Sequence, residues 1–141
     1  MSKGNTTEND VLQIIFKQVL ASHLGVLQTT GNADLYIALH TGDPGEAGSQ
    51  TTSECTFGSY ARQAVARGAG WTVSGNQAEN AATISFPECT SGSETVTHVS
   101  IGTVVSGAGQ IIYSGALNAS RSVSSGITLQ FAAGALTVTE D

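Results

Sequence analysis

The sequence predicts a mainly β, single-domain protein: an antiparallel β-sandwich or jelly-roll preceded by one α-helix. After residue 30 the apolar residues alternate with a period of two in many short runs, which is typical of strands. Glycine-containing turn segments separate these runs. A length of 141 residues fits one compact domain with one core. We therefore expect a polar leader and a helix in residues 1–30 and the β-sandwich domain in residues 31–141.

The N-terminal segment predicts the helix. Asn9 or Asp10 can cap its first turn. Apolar residues then recur at spacings of three and four positions before Gly25 interrupts the pattern: Val11, Leu12, Ile14, Ile15, Phe16, Val19 and Leu20. The apolar stripe is broad, which favours packing against the body of the same domain, with docking on a neighbouring subunit as the alternative.

The β region begins with a predicted strand at residues 34–41, which ends at a turn in residues 42–45. Residues 46–58 are rich in Gly, Ser, Thr and Gln and predict a long exposed loop. Further strands are predicted at residues 60–66, 70–74, 82–86, 94–105, 110–117, 125–131 and 136–139. Many short strands at this spacing favour a sandwich or jelly-roll over a parallel α/β sheet.

The charge composition argues against several classes of partner. The chain has 5 Lys+Arg against 11 Asp+Glu, a net charge of −6, and only 11% charged residues. A phosphate backbone needs a basic surface, so we expect no direct nucleic-acid binding. No run of about 18 apolar residues predicts a membrane span, and no apolar signal-peptide region follows Lys3. We expect a protein that assembles in a cytoplasm, without contact to a membrane.

No catalytic or metal-binding motif is present: the sequence has no G-x-S-x-G, H-E-x-x-H, P-loop or C-x-x-C pattern. Cys55 and Cys89 lack partners at metal-ligand spacing and are expected to be free thiols. Asp43 and Glu46 are a conceivable calcium site, but a turn in which Asp43 bonds its own backbone is favoured. We expect no enzymatic activity, no metal and no cofactor.

Six residues are predicted to contact partners, because the core alone does not readily explain their type or position: Phe16, Lys17, Tyr60, Arg62, Arg67 and Trp71. The first two are adjacent on the predicted helix, which could reach a neighbouring subunit, as could the 46–58 loop. The two aromatic residues of the β region could anchor an interface, where aromatic side chains are enriched. A single tryptophan in a β domain is, however, more often part of the core.

Arg62 and Arg67 flank a strand that is otherwise apolar, and they are two of only five basic residues. Two roles are open for them. One is contact with an acidic surface of a partner, and the other is an ion pair within the chain, with Glu54 or Glu46 of the preceding loop.

Four segments of the β region resemble a family of small virion proteins of tailed bacteriophages. These segments are residues 35–46 (LYIALHTGDPGE), 60–65 (YARQAV), 71–73 (WTV) and 82–87 (ATISFP). The resemblance runs from about residue 34 to about residue 138. Members are known as head decoration (cement) proteins, and relatives are often labelled tail-fibre-like. The resemblance implies a structural protein located in the virion, without catalytic residues.

A position on the outside of the head is the favoured role. A capsid decoration protein binds the outer shell and stabilises it across the seams between capsomers, where symmetry repeats a modest contact many times. The expected partners are the major capsid protein and other copies of the chain, since β-sheet edges need covering. The alternative is a tail-fibre or tail-tip protein involved in host attachment, although heptads and internal repeats are absent.

Overall fold

The computed structural model describes residues 5–17 and 33–140. The chain divides into two compact units by its internal packing. The first unit comprises Met1–Asp34, Val65–Ile84 and Phe131–Asp141, and the second comprises Leu35–Ala64 and Ser85–Gln130. The predicted boundary between leader-plus-helix and β domain, at residue 30, lies outside the described residues.

The described part contains one short helical segment and nine strands. Helix α1 spans Asn5–Leu12 and continues as a π-helical turn, Gln13–Lys17. The strands are β1 Asp34–His40, β2 Gln63–Ala66, β3 Trp71–Ser74, β4 Gln77–Asn80, β5 Ile84–Ser85, β6 Ser93–Gly102, β7 Ile111–Ser124, β8 Gln130–Phe131 and β9 Thr137–Thr139. The predicted mainly β fold with one N-terminal helix is confirmed, and its antiparallel sheets are consistent with a β-sandwich. The jelly-roll alternative stays a prediction.

The first unit contains the helix and a three-stranded sheet of order β3-β4-β9. The helix begins at Asn5, so the prediction that Asn9 or Asp10 caps it was wrong. Both residues lie inside α1, where the Asn9 side-chain amide donates a hydrogen bond to the carbonyl of Gly75, 2.7 Å away. Of the predicted apolar face, Leu12 and Phe16 are fully buried. The predicted helical residues Val19 and Leu20 lie outside the described residues.

A four-stranded sheet of order β2-β1-β6-β7 supplies the main strands of the second unit. β1 and β6 pair antiparallel, with Leu39 opposite Val99 and His40 opposite His98. Consecutive residues Ile37, Ala38 and Leu39 are all buried, so both faces of β1 are covered. Such a strand shows no alternation of polar and apolar residues, so the period of two expected after residue 30 does not hold for β1, whose residues 35–39 are all apolar.

β7 is longer than predicted: it covers 14 residues, where the sequence indicated a strand ending at residue 117. The β6–β7 pairing is irregular near its middle. Val96 lies opposite Arg121 and His98 opposite Ala116, so residues 117–120 of β7 face the single Thr97. This bulge explains why the period of two breaks off in the sequence before the strand ends.

The segment at residues 46–58 was predicted to be an exposed loop, and this is only partly right. It is irregular, with isolated bridges that join Glu54 to His40 and Ser49 to Gln110. However, Gln50, Cys55 and Phe57 are buried. Their neighbours are Gly, Ser and Thr, so the local composition concealed residues that belong to the interior of the second unit.

Candidate functional site

Phe16 and Trp71, two of the predicted contact residues, form an aromatic pair inside the first unit. Their ring centroids are 4.5 Å apart at an interplanar angle of 57°. Phe16 is 0% and Trp71 is 1% exposed. Tilted aromatic pairs at this separation add favourable quadrupole contacts to the burial of apolar surface. The pair therefore fixes the helical segment to the start of β3.

Lys17 and Arg67 donate hydrogen bonds to backbone carbonyls of the same unit. The Lys17 ammonium donates to the carbonyls of Gly68 and Trp71, each at 2.8 Å. The Arg67 guanidinium donates to the carbonyl of Ile15 at 2.6 Å and to that of Ile14, and burial lowers the pKa of Arg67. The last carbonyls of a helix lack partners within the helix. Arg67, which binds two of them, ends the segment favourably, whereas Lys17 links the helical end to Gly68 and Trp71.

In the second unit, Arg62 forms the buried ion pair that was one of its two predicted roles. Its Nε lies 2.7 Å from Glu54 Oε1 and its Nη2 lies 2.8 Å from Glu54 Oε2. The remaining donor directions reach the carbonyls of Val104 at 3.0 Å and Gly107 at 2.8 Å. This planar fork suits arginine and not lysine. Arg62 thereby ties the β6–β7 turn to the 46–58 loop.

Tyr60 completes the same polar group. Its hydroxyl donates to Glu54 Oε1 at 3.0 Å and accepts the backbone N–H of Leu39 at 3.0 Å. Its ring packs edge-on against Phe57 and stacks on Phe86. Burial, together with the nearby Glu54 carboxylate, raises the pKa of Tyr60. The hydroxyl is therefore a fixed, protonated link between the loop and β1.

His40 is a buried histidine whose two ring nitrogens are both bonded. Nδ1 lies 2.8 Å from the carbonyl of Thr52, and Nε2 lies 2.7 Å from the Ser100 hydroxyl. Because a carbonyl can only accept, Nδ1 carries the proton and Nε2 accepts from Ser100. Burial holds the pKa of His40 below its ordinary value. The ring thus acts as a neutral connector between β1, β6 and the 46–58 loop.

Two further side chains hold the same loop and were missed by the sequence analysis. The Gln50 amide oxygen accepts the backbone N–H groups of Thr103 and Val104, each at 3.0 Å. The Glu94 carboxylate accepts from the backbone N–H of Thr56 and from its hydroxyl. Their partners lie between 38 and 54 positions away, and no local pattern in the sequence indicates such contacts.

The six predicted contact residues therefore fall into two groups. Phe16, Lys17, Arg67 and Trp71 meet in the first unit, whereas Tyr60 and Arg62 meet in the second. All the contacts given above are made within a unit and stabilise it. Their predicted part in an interface with another protein remains a prediction.

The turn at residues 42–45 and the two cysteines behave as expected from the sequence. Asp43 Oδ1 accepts the backbone N–H of Gly45 at 2.9 Å, which confirms the predicted Asx-type turn. Residues 5–17 and 33–140 contain no group of three or more His, Cys, Asp or Glu that could hold a metal ion. Cys55 and Cys89 are free and buried, and burial with the nearby Glu94 carboxylate raises the pKa of Cys55 to about 12. Within the same ranges, no helix has the length and apolar character needed to cross a membrane.

β7 and its flanking turns form a largely exposed surface with little charge. Of the 14 residues in β7, twelve are neither aromatic nor charged. Val123 is the one buried residue of this strand. In the described part of the chain, the large hydrophobic residues that stand out as exposed are Val105, at 60%, and Ile127, at 43%. Val105 lies in the turn before β7 and Ile127 lies just after the end of β7. This surface is the strongest candidate for contact with another protein.

One comparison with known proteins gives a match over nearly the whole chain. A family model described as podophage GP4 fiber I protein gp80 matches residues 2–139. The match includes both compact units and all four segments quoted above. No curated protein matches the chain.

Proposed function

The chain belongs to the podophage GP4 fiber I protein gp80 family, whose members are phage virion proteins, and we propose that it is a tail-fibre or tail-tip-associated structural protein that takes part in host attachment. The observation that carries this proposal is the family match over residues 2–139, because the family description names a fiber. It fits the tail-fibre alternative of the sequence analysis at least as well as the head-decoration role. Head decoration, with the major capsid protein as partner, stays a prediction.

The second unit supports a structural role because its buried polar side chains serve to fix loops. Arg62 donates to the Glu54 carboxylate and to two backbone carbonyls. His40 has both ring nitrogens bonded, and Glu94 accepts two backbone N–H groups. A general acid or base must instead reach a substrate with a proton or a lone pair. We propose that the protein is not an enzyme and that these groups keep its surface loops in one conformation.

A rigid, weakly charged surface suits a permanent part of a particle. Interface cores are depleted in charged residues, and the charged fraction of this chain is 11%. Loops that are already ordered lose little conformational entropy on assembly, so more of the contact energy remains for binding. The protein is proposed to act as a small fixed module of the virion that joins or terminates a longer fibre.

The test is to compare phage particles with and without the protein. Image reconstruction is expected to show the missing density at the tail, and adsorption to the host is expected to fall while the temperature of DNA release stays unchanged. Supplying the intact gene in the host cell serves as the control and should restore adsorption. Missing density on the head shell, with DNA released at a lower temperature and normal adsorption, would contradict the proposal and support head decoration.

A further inference from the structure

β7 presents a long sheet edge that no strand of the described residues covers. It is the last strand of the four-stranded sheet, and β6 is its one neighbour among the strands of the described residues. At roughly 3.4 Å per residue, a strand of 14 residues approaches 48 Å in length, less the shortening at the bulge. An open edge offers a row of backbone donors and acceptors, which is a template for pairing with another strand.

Several of the usual protections against edge pairing are missing from β7. Natural edge strands are often short or carry Lys, Pro or charges that point inward. β7 contains no Pro, Lys, Asp or Glu, and Arg121 is its one charged residue. The bulge at residues 117–120 interrupts the strand near its midpoint, and a second register shift lies near its start, between Ile111 and Tyr113. Regular segments remain at residues 113–116 and 121–124.

The charge distribution indicates what can bind there. Two copies of a chain with a net charge of −6 repel each other over most of their surfaces. Residues 95–139, however, contain no Asp or Glu at all. The β7 edge lies inside this stretch, so two copies meet there with the least electrostatic repulsion. A basic partner would find no carboxylate on β7 to bind.

The exposed apolar side chains indicate the direction of pairing. Val105, 60% exposed, precedes the start of β7, and Ile127, 43% exposed, follows its end. When two strands pair antiparallel, the start of one lies beside the end of the other. Val105 of each copy then lies near Ile127 of the other copy, and both side chains lose contact with water. A two-fold axis near the bulge also places residues 113–116 of one copy along residues 121–124 of the other.

From these observations we infer that the free edge of β7 is a self-association surface, on which a second copy of this chain pairs antiparallel about a two-fold axis. Such a contact is isologous, because the same surface is used by both copies. It would continue the four-stranded sheet of each copy into one sheet of eight strands. The inference concerns the chain in solution and does not depend on whether the protein is located on the tail or on the head.

The direction of pairing is tested by disulfide cross-linking between two single variants, Val105→Cys and Ile127→Cys. The native thiols Cys55 and Cys89 are 1% and 0% exposed, and unmodified protein measures their background. After mild oxidation, a mixture of the two variants is expected to form a cross-linked dimer, whereas each variant alone forms little. Equally efficient cross-linking of each variant with itself, or none in the mixture, would overturn antiparallel pairing.

Sedimentation tests the surface itself. The intact protein is expected to form dimers at tens of micromolar, and Val105→Glu/Ile127→Glu is expected to raise the dissociation constant at least tenfold. The control, Thr72→Glu/Ala82→Glu, adds the same charge at exposed residues of the other unit and is expected to leave the dimer intact. Circular dichroism checks that each variant is folded. A monomeric intact protein, a trimer, or equal effects of the two double variants would overturn the inference.

Discussion

Replacing Arg62 by methionine is expected to destabilise the protein more than any other change to a basic side chain. The substitution removes four hydrogen bonds, two to Glu54 and one each to the carbonyls of Val104 and Gly107. The Arg62 side chain is 3% exposed and that of Glu54 is 15% exposed. Breaking such a buried pair from one side leaves an uncompensated carboxylate and costs about 3–5 kcal/mol. With an unfolding entropy of roughly 0.3 kcal/mol/K for this length, the Tm falls by about 10 °C or more.

The assay is urea unfolding followed by circular dichroism, at a protein concentration low enough to keep the chain monomeric. Arg121→Met is the matched control, because it removes the same charge from an exposed residue of β7. It should change the free energy of unfolding by about 0.5 kcal/mol at most. Arg62→Lys should also destabilise, since a single ammonium cannot reproduce the planar fork. A loss below about 1 kcal/mol in Arg62→Met, similar to that in the control, would refute the role given to the pair.

Three further expectations rest on single contacts. Phe16→Ala removes the ring whose centroid lies 4.5 Å from that of Trp71 and should lower the free energy of unfolding by about 3–5 kcal/mol. Because Trp71 is the one tryptophan, a red shift of the fluorescence emission would report its exposure to water. An unchanged spectrum would contradict the contact. Burial lowers the pKa of His40 below 6.5. As the pH falls, His40 is therefore protonated in the unfolded chain at a higher pH than in the folded protein. The contribution of His40 to the free energy of unfolding is lost as the pH falls below about 6.5. The difference in unfolding free energy between the intact protein and His40→Gln should therefore shrink between pH 7.5 and pH 5, and a constant difference would contradict it. Gly102→Ala would place its Cβ 2.2 Å from the buried Gln50 side chain, whereas Gly115→Ala meets nothing within 4 Å. The first should cost about 1–3 kcal/mol more than the second, and equal unfolding midpoints would exclude the clash.

The strands that the sequence predicted well are those that bury one or both faces. β1, β3, β6 and β9 carry regular apolar residues, and their positions were found to within a few residues. β4 was missed because its four residues include only one apolar side chain, Ala78. It is a strand because β3 and β9 pair with it on its two sides. Pairing of this kind is a tertiary effect that a local pattern cannot show.

The sequence indicated which basic residues have a specific role, but not which groups most of them contact. Arg62 was chosen because basic residues are few, and the ion pair with Glu54 was one of two predicted roles since the two are close in sequence. The contacts of Lys17 and Arg67 could not be predicted, because their carbonyl partners lie more than 50 positions away. Every residue has a backbone carbonyl, so the sequence does not indicate which carbonyl a side chain will bind.

The placement of the basic residues links the interior of the protein to its surface. Lys17, Arg62 and Arg67 donate to carbonyls or to Glu54 inside their units, and Arg121, on β7, is the basic residue of the described part that is exposed. Three of the basic side chains thus hold loops or the helix end in place. The β7 edge carries only the charge of Arg121. Contacts made through that edge must rest on backbone hydrogen bonds and apolar burial, which salt screens weakly. If copies of the chain pair through β7 as inferred, this charge distribution makes strand pairing, rather than ion pairing, the basis of that contact.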